Sequence, residues 1–86
     1  MKDPFLIIGY MLLGLMISFE INEVDKVSLN IFDVAGRKVA SLISNDLMMP
    51  GHHKISWNPG LLPSGVYLVE LVTNVKSFNQ KITYIK

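Results

Sequence analysis

Few side chains in this sequence could do chemistry. His52 and His53 are adjacent, so in a strand they point to opposite faces and cannot share a metal ion. No third ligand stands near them at a useful spacing, and a metal site needs three or four convergent ligands. Glu20, Glu23 and Asp25 surround one turn and could offer oxygens to Ca²⁺, but their spacing matches no dedicated calcium loop. A solvated acidic turn is the expectation there. Asp33 and Arg37 read as a charge pair across a hairpin rather than a catalytic dyad. The serines have no nucleophile elbow, and no Gly-rich stretch precedes a helix to cradle phosphate. The expected catalytic, cofactor-binding and metal-binding residues are therefore none, and an enzyme is not expected. Lys76, Lys81 and Lys86 give the end of the chain a basic character. Edge lysines discourage sheet-to-sheet aggregation, and they are also a feature another protein could read.

Composition narrows the classes further. The chain has 86 residues, enough for one small domain. It has no cysteine, which excludes disulfides and thiolate metal sites. Eight basic and seven acidic residues leave a net charge of +1, no electrostatic footprint for nucleic acid.

The elements that must position these residues are strands. Val27, Leu29 and Ile31 alternate with Ser28 and Asn30, the period of a half-buried strand. Asp33-Val34-Ala35-Gly36 follows. Val34 and Ala35 resist positive φ, so a type I turn with Gly36 left-handed in a G1 bulge fits better than a two-residue primed turn. A returning strand runs from Arg37 to Ile43. Its parity slips between Val39 and Leu42, which predicts a bulge or a shorter strand. Ser44 to Met49 reads as a loop ending in a Pro50-Gly51 type II turn. In the next strand, His52–Asn58, residues His53, Ile55 and Trp57 share one face, with Trp57 as the core aromatic. Val66–Thr73 is apolar on both faces apart from Glu70, as in a central strand. The last strand, Lys76–Lys86, puts Phe78, Ile82 and Tyr84 on one face, with Gln80 the odd polar member. The chain reads as all-β: a small antiparallel β-sandwich of about six strands, with a seventh in a loop as a variant.

One stretch stands apart. Phe5–Phe19 is an apolar run interrupted by Ser18. It falls short of the roughly 20 apolar residues a spanning helix needs. It reads as a helical, membrane-contacting or signal-like leader, as a cleaved signal, or as a misjoined fragment. Ile17, Phe19 and Ile21 already alternate with polar neighbours, so the first strand is placed at Ile17–Asn22. The expected division is a leader over 1–16 and a sandwich over 17–86.

The ordered motifs resemble the type A C-terminal sorting domain of the type IX (Por) secretion system. The resemblance is carried by alternating apolar residues, then Phe-Asp-x-x-Gly-Arg-x-Val at Val27–Val39, Pro-Gly-His with a later Trp at Pro50–Trp57, and Leu-x-Ser-Gly-Val-Tyr at Leu62–Tyr67. A Lys-bearing strand then ends at Lys86. Asp33, Gly36, Arg37, Gly51, Trp57, Gly65 and Tyr67 sit on the family's recurrent positions. The resemblance implies a non-catalytic Ig-like, Greek-key sandwich fused to the end of an exported cargo. It implies the type IX translocon and a sortase-like peptidase as partners, no cofactor, and passage through the periplasm to the outer membrane, cell surface or medium. The family concentrates its signal in the final strand, so Lys81, Ile82, Tyr84 and Lys86 are the candidate sorting residues. Two departures stand out: no cargo domain precedes the module, and Asp3-Pro4-Phe5 leads into an apolar run where the family has a polar stretch. The expectation is a piece of a longer gene product. Two other readings stay open. One is an assembly module like the Ig-like domain of flagellar hook-capping proteins. The other is a small membrane-tethered binding domain.

Overall fold

The computed structural model describes residues 5–11, 14–74 and 76–85. It is all strand: β1 (Phe5–Met11), β2 (Gly14–Ile21), β3 (Asp25–Asp33), β4 (Lys38–Met48), β5 (Gly51–Trp57), β6 (Gly65–Val72) and β7 (Ser77–Tyr84). One sheet has the order β1-β2-β5 and the other β4-β3-β6-β7, all neighbours antiparallel. The chain changes sheet between β2 and β3, β4 and β5, and β5 and β6, the connectivity of a small Ig-like sandwich.

The core lies between the sheets and follows from period-2 alternation. Leu15, Ile17, Phe19 and Ile21 of β2 face Val27, Leu29 and Ile31 of β3 and Tyr67, Val69 and Leu71 of β6. Trp57, Ile43 and Ile82 complete it. The Trp57 and Tyr67 rings meet edge to face at 6.3 Å, joining the two sheets at one end.

The apolar run is corrected in conformation. Residues 5–11 form a strand paired with β2 in seven steps from Phe5↔Glu20 to Met11↔Gly14, where a helical leader was one expectation. Gly9 and Gly14 interrupt the run, and each glycine inside a helix costs about 1 kcal/mol relative to alanine. β2 also starts earlier than Ile17. It starts at Gly14, where Met11 of β1 pairs with it, and β5 joins at the next residue with Trp57 opposite Leu15. A Cβ on Gly14 would collide with the Trp57 carbonyl oxygen, so this glycine permits the close approach of β2 and β5. The seventh strand is thus drawn from the leader, not from a loop. Among the described residues no helix is long and apolar enough to cross a membrane.

Ser44–Met49, expected as a loop, is mostly strand. β4 continues to Met48, and Asp46, Leu47 and Met48 pair with Val27, Lys26 and Asp25. Its side chains are mostly exposed, so no apolar alternation advertised it. The parity slip is real, and the β3–β4 register shifts at three places. Near the first, Asn45 takes φ 52° and its N–H donates to Ser28 Oγ at 2.9 Å.

Candidate functional site

The sorting-family residues divide into a structural group and a surface group. The β3–β4 turn is closed by its own backbone and by one carboxylate. Gly36 N–H donates to the Asp33 carbonyl at 3.0 Å, and Asp33 N–H to the Arg37 carbonyl at 2.9 Å. Gly36 has φ +87°, so the type I turn with a G1 bulge is present. Asp33 Oδ1 accepts from the Ala35 and Arg37 N–H groups at 3.0 and 2.9 Å. Oδ2 accepts from Arg37 Nε at 2.9 Å. Foremost the Arg37 backbone N–H, with the guanidinium behind it, holds the Asp33 carboxyl below the usual carboxylate value, against a smaller opposing effect of burial. The charge pair is therefore the turn's own clamp.

The second cluster is also structural. Tyr67 is buried, and its O–H donates to the Pro63 carbonyl at 2.6 Å, which ties β6 to the loop before it. Gly65 opens β6 directly after that loop. Gly51 has φ +127°, the positive value expected after Pro50, and begins β5. The loop after Trp57 reverses at Gly60, with Asn58 Oδ1 accepting the Gly60 N–H at 2.9 Å.

The histidines point to opposite faces, as alternation requires. His53 is stacked on Phe19 at 5.4 Å and its Nε2 lies 2.7 Å from the Met49 carbonyl. His52 Nε2 lies 3.0 Å from Glu20 Oε2 on the outer face. Among the described residues no three His, Asp or Glu side chains converge as a metal site would need. The acidic turn is not uniformly solvated: the Glu20 side chain is 18 % exposed and lies against His52. Asp25 is not solvated but buried, and its Oδ1 accepts the Asn74 N–H at 3.1 Å, pinning the turn between β6 and β7 to the start of β3. The spacing of 49 residues between them left no sequence signal.

The surface group lies on the outside of the four-stranded sheet. β7 is an outer strand of that sheet, and its inward row is Phe78, Gln80, Ile82 and Tyr84, with Ile82 buried and Gln80 exposed. Lys81 is exposed on the opposite face, in register with Leu68, which is itself in register with Phe32. Lys86 lies outside the described residues. A surface groove of about 560 Å³ runs beside this row; Phe32, Val66 and Leu68 form apolar lining, with Val34 and Gly36 from the turn and Lys81 from β7. Glu70 also lines it and accepts from Asn30 Nδ2 at 3.3 Å. The tip of the β3–β4 hairpin and the last strand, 40-odd residues apart in sequence, thus border one groove. The sequence signal for the floor was faint: Phe32, Val66 and Leu68 sit at the positions of an outward face, where an apolar residue is usually unremarked. Nothing in this constellation pairs a nucleophile with a base.

Neither a curated protein nor a solved structure matches the chain. The profile of the secretion system C-terminal sorting domain matches residues 14–86, from the first residue of β2 to the end. With the motifs, the sandwich and the profile in agreement, the chain belongs to the family of type IX secretion C-terminal sorting domains.

Proposed function

We propose that this chain is the sorting module of a larger exported protein, and that the type IX translocon reads it mainly through the strand ending at Lys86. Family membership carries a sorting role and implies a secreted protein in contact with the secretion machinery. The observation that supports reading at the last strand is the position of β7. It lies at the edge of its sheet, with Lys81 exposed, while the other recurrent residues are occupied in turns and core. In this proposal Lys81 and Lys86 present charge to the translocon, Ile82 and Tyr84 anchor the strand from inside, and a sortase-like peptidase removes the module after passage. The division into a leader over 1–16 and a sorting module over 17–86 belongs to the same proposal. The family itself is in general non-catalytic, and the module's task is delivery of whatever precedes it.

The test joins a periplasmic reporter to the N-terminus of the full chain in a type IX-competent host. The reporter is expected at the cell surface or in the medium, and a truncation lacking Ile82–Lys86 is expected to remain periplasmic. A full-chain fusion that stays periplasmic, or a truncation that exports equally well, overturns the proposal.

A further inference from the structure

The β6–β7 ladder runs through eight consecutive pairs, from Gly65↔Tyr84 to Val72↔Ser77, without a register shift. Antiparallel strands direct their N–H and C=O groups to alternate sides, so half of the β7 amides face away from β6. Among the described residues no strand pairs on that side. The two faces of β7 differ in chemistry. The inner row is Phe78, Gln80, Ile82 and Tyr84; Gln80 is exposed, while Phe78 and Tyr84 are half-buried on either side of the buried Ile82, so both ends of the row leave apolar surface that a further strand would cover. Asn79, Lys81 and Thr83 are exposed on the outer face. Among the described residues no carboxylate lies within ion-pair distance of the Lys81 ammonium.

We infer that β7 accepts an extended segment of a partner protein as an added outer strand of the four-stranded sheet. The segment has apolar side chains on the face that continues the Phe78, Ile82, Tyr84 row and a carboxylate on the other face beside Lys81. Main-chain pairing supplies the attraction and the two rows set the register, because a slip of one residue would turn the apolar side chains outward. Natural sheets block edges that are not meant to pair, with bulges or with edge lysines, and a lysine, unlike a bulge, still admits a strand that brings an acid to meet it. β4, the opposite edge, carries three register shifts, and β7 carries none. Lys81 then acts as a filter: a strand without an acid at that position leaves the lysine unmatched. The inference rests on the sorting reading and specifies how the last strand is read.

The test uses the same full-chain reporter fusion with Asn79→Pro and Gln80→Pro. These neighbours point their N–H groups to opposite sides, so one proline removes a bond to β6 and the other removes an amide facing the free edge. Thermal melting of the purified chains tells them apart, since the free-edge variant melts near the unaltered protein. That folded variant is expected to stay periplasmic. If neither proline variant folds, the Lys81 pair decides: Lys81→Glu is expected to lose export and Lys81→Arg to keep it. A folded free-edge proline variant exported at the unaltered level, or equal export of Lys81→Glu and Lys81→Arg in the fallback, overturns strand addition. In either case loss of export on removing Ile82–Lys86 leaves the sorting reading standing. Failure of the unaltered fusion to export overturns both.

Discussion

β4 and β7 close the same sheet from opposite sides on different plans. β4 meets β3 through three register shifts, and it begins in a turn whose polar groups are satisfied by Asp33 and Arg37. β7 meets β6 through an unbroken ladder and leaves Lys81 exposed beside a groove. A bulged strand twists away from neighbours, and a regular one remains a template. Most of the family's recurrent residues therefore sit in turns and core, and β7 is the regular edge of this sheet.

Substitutions at the core and at each edge test this difference between β4 and β7. Trp57→Ala should have the largest effect, about 3–5 kcal/mol as for other large buried aromatics, a sizeable share of a small domain's stability. Because both edges rest on one core, hydrogen exchange should show β4 and β7 losing protection together; an edge that stays protected would mean the two are independently stable. Gly14→Ala should cost about 1–3 kcal/mol in urea denaturation through its collision with the Trp57 carbonyl, again on both edges alike. Gly36→Val acts on the bulged side alone. It should cost about 1–2 kcal/mol through strain at φ +87° and speed amide exchange in the turn while β7 stays protected.

Smaller effects test the charges. The Asp33 carboxyl titrates lower in the folded chain than in the unfolded one, so the unfolded state binds the proton first as pH falls. Its contribution is present above the ordinary aspartate pKa near 3.8 and is lost as pH drops through the depressed folded value. Asp33→Asn should flatten that acid limb in urea midpoints measured across a pH series, and an unchanged limb would remove the clamp argument. Lys81→Ala should change stability least, within about 0.5 kcal/mol, as for an exposed side chain without a partner. A larger loss would show that Lys81 belongs to the scaffold, and the contrast between the two edges would fail.

Local chemistry was readable wherever the cause lay within a few residues. Asp33, Gly36 and Arg37 could be assigned to a bulged turn because the φ preferences of Val34 and Ala35 excluded the alternatives. The alternation of His53, Ile55 and Trp57 gave the inward face of β5. The far half of β4 escaped because exposed polar residues can pair through the backbone without any side-chain pattern. Asp25 escaped because its partner, the Asn74 N–H, arrives from another turn. For the groove, Phe32, Leu68 and Lys81 were each visible, but their shared row depends on the registers of two separate ladders.

By itself the sequence determined the all-β class, the hairpin turn, the inward rows and the family, because alternation, turn geometry and ordered motifs are local properties of the chain. It did not decide the conformation of Phe5–Met11. Seven apolar-run residues suit a helix or a strand, and pairing with β2, already held by β5, makes them β1. Nor did it decide which edge is bulged and which is regular. Register is a relation between two strands, and only the folded sheet leaves β7 unbroken and facing outward at Lys81.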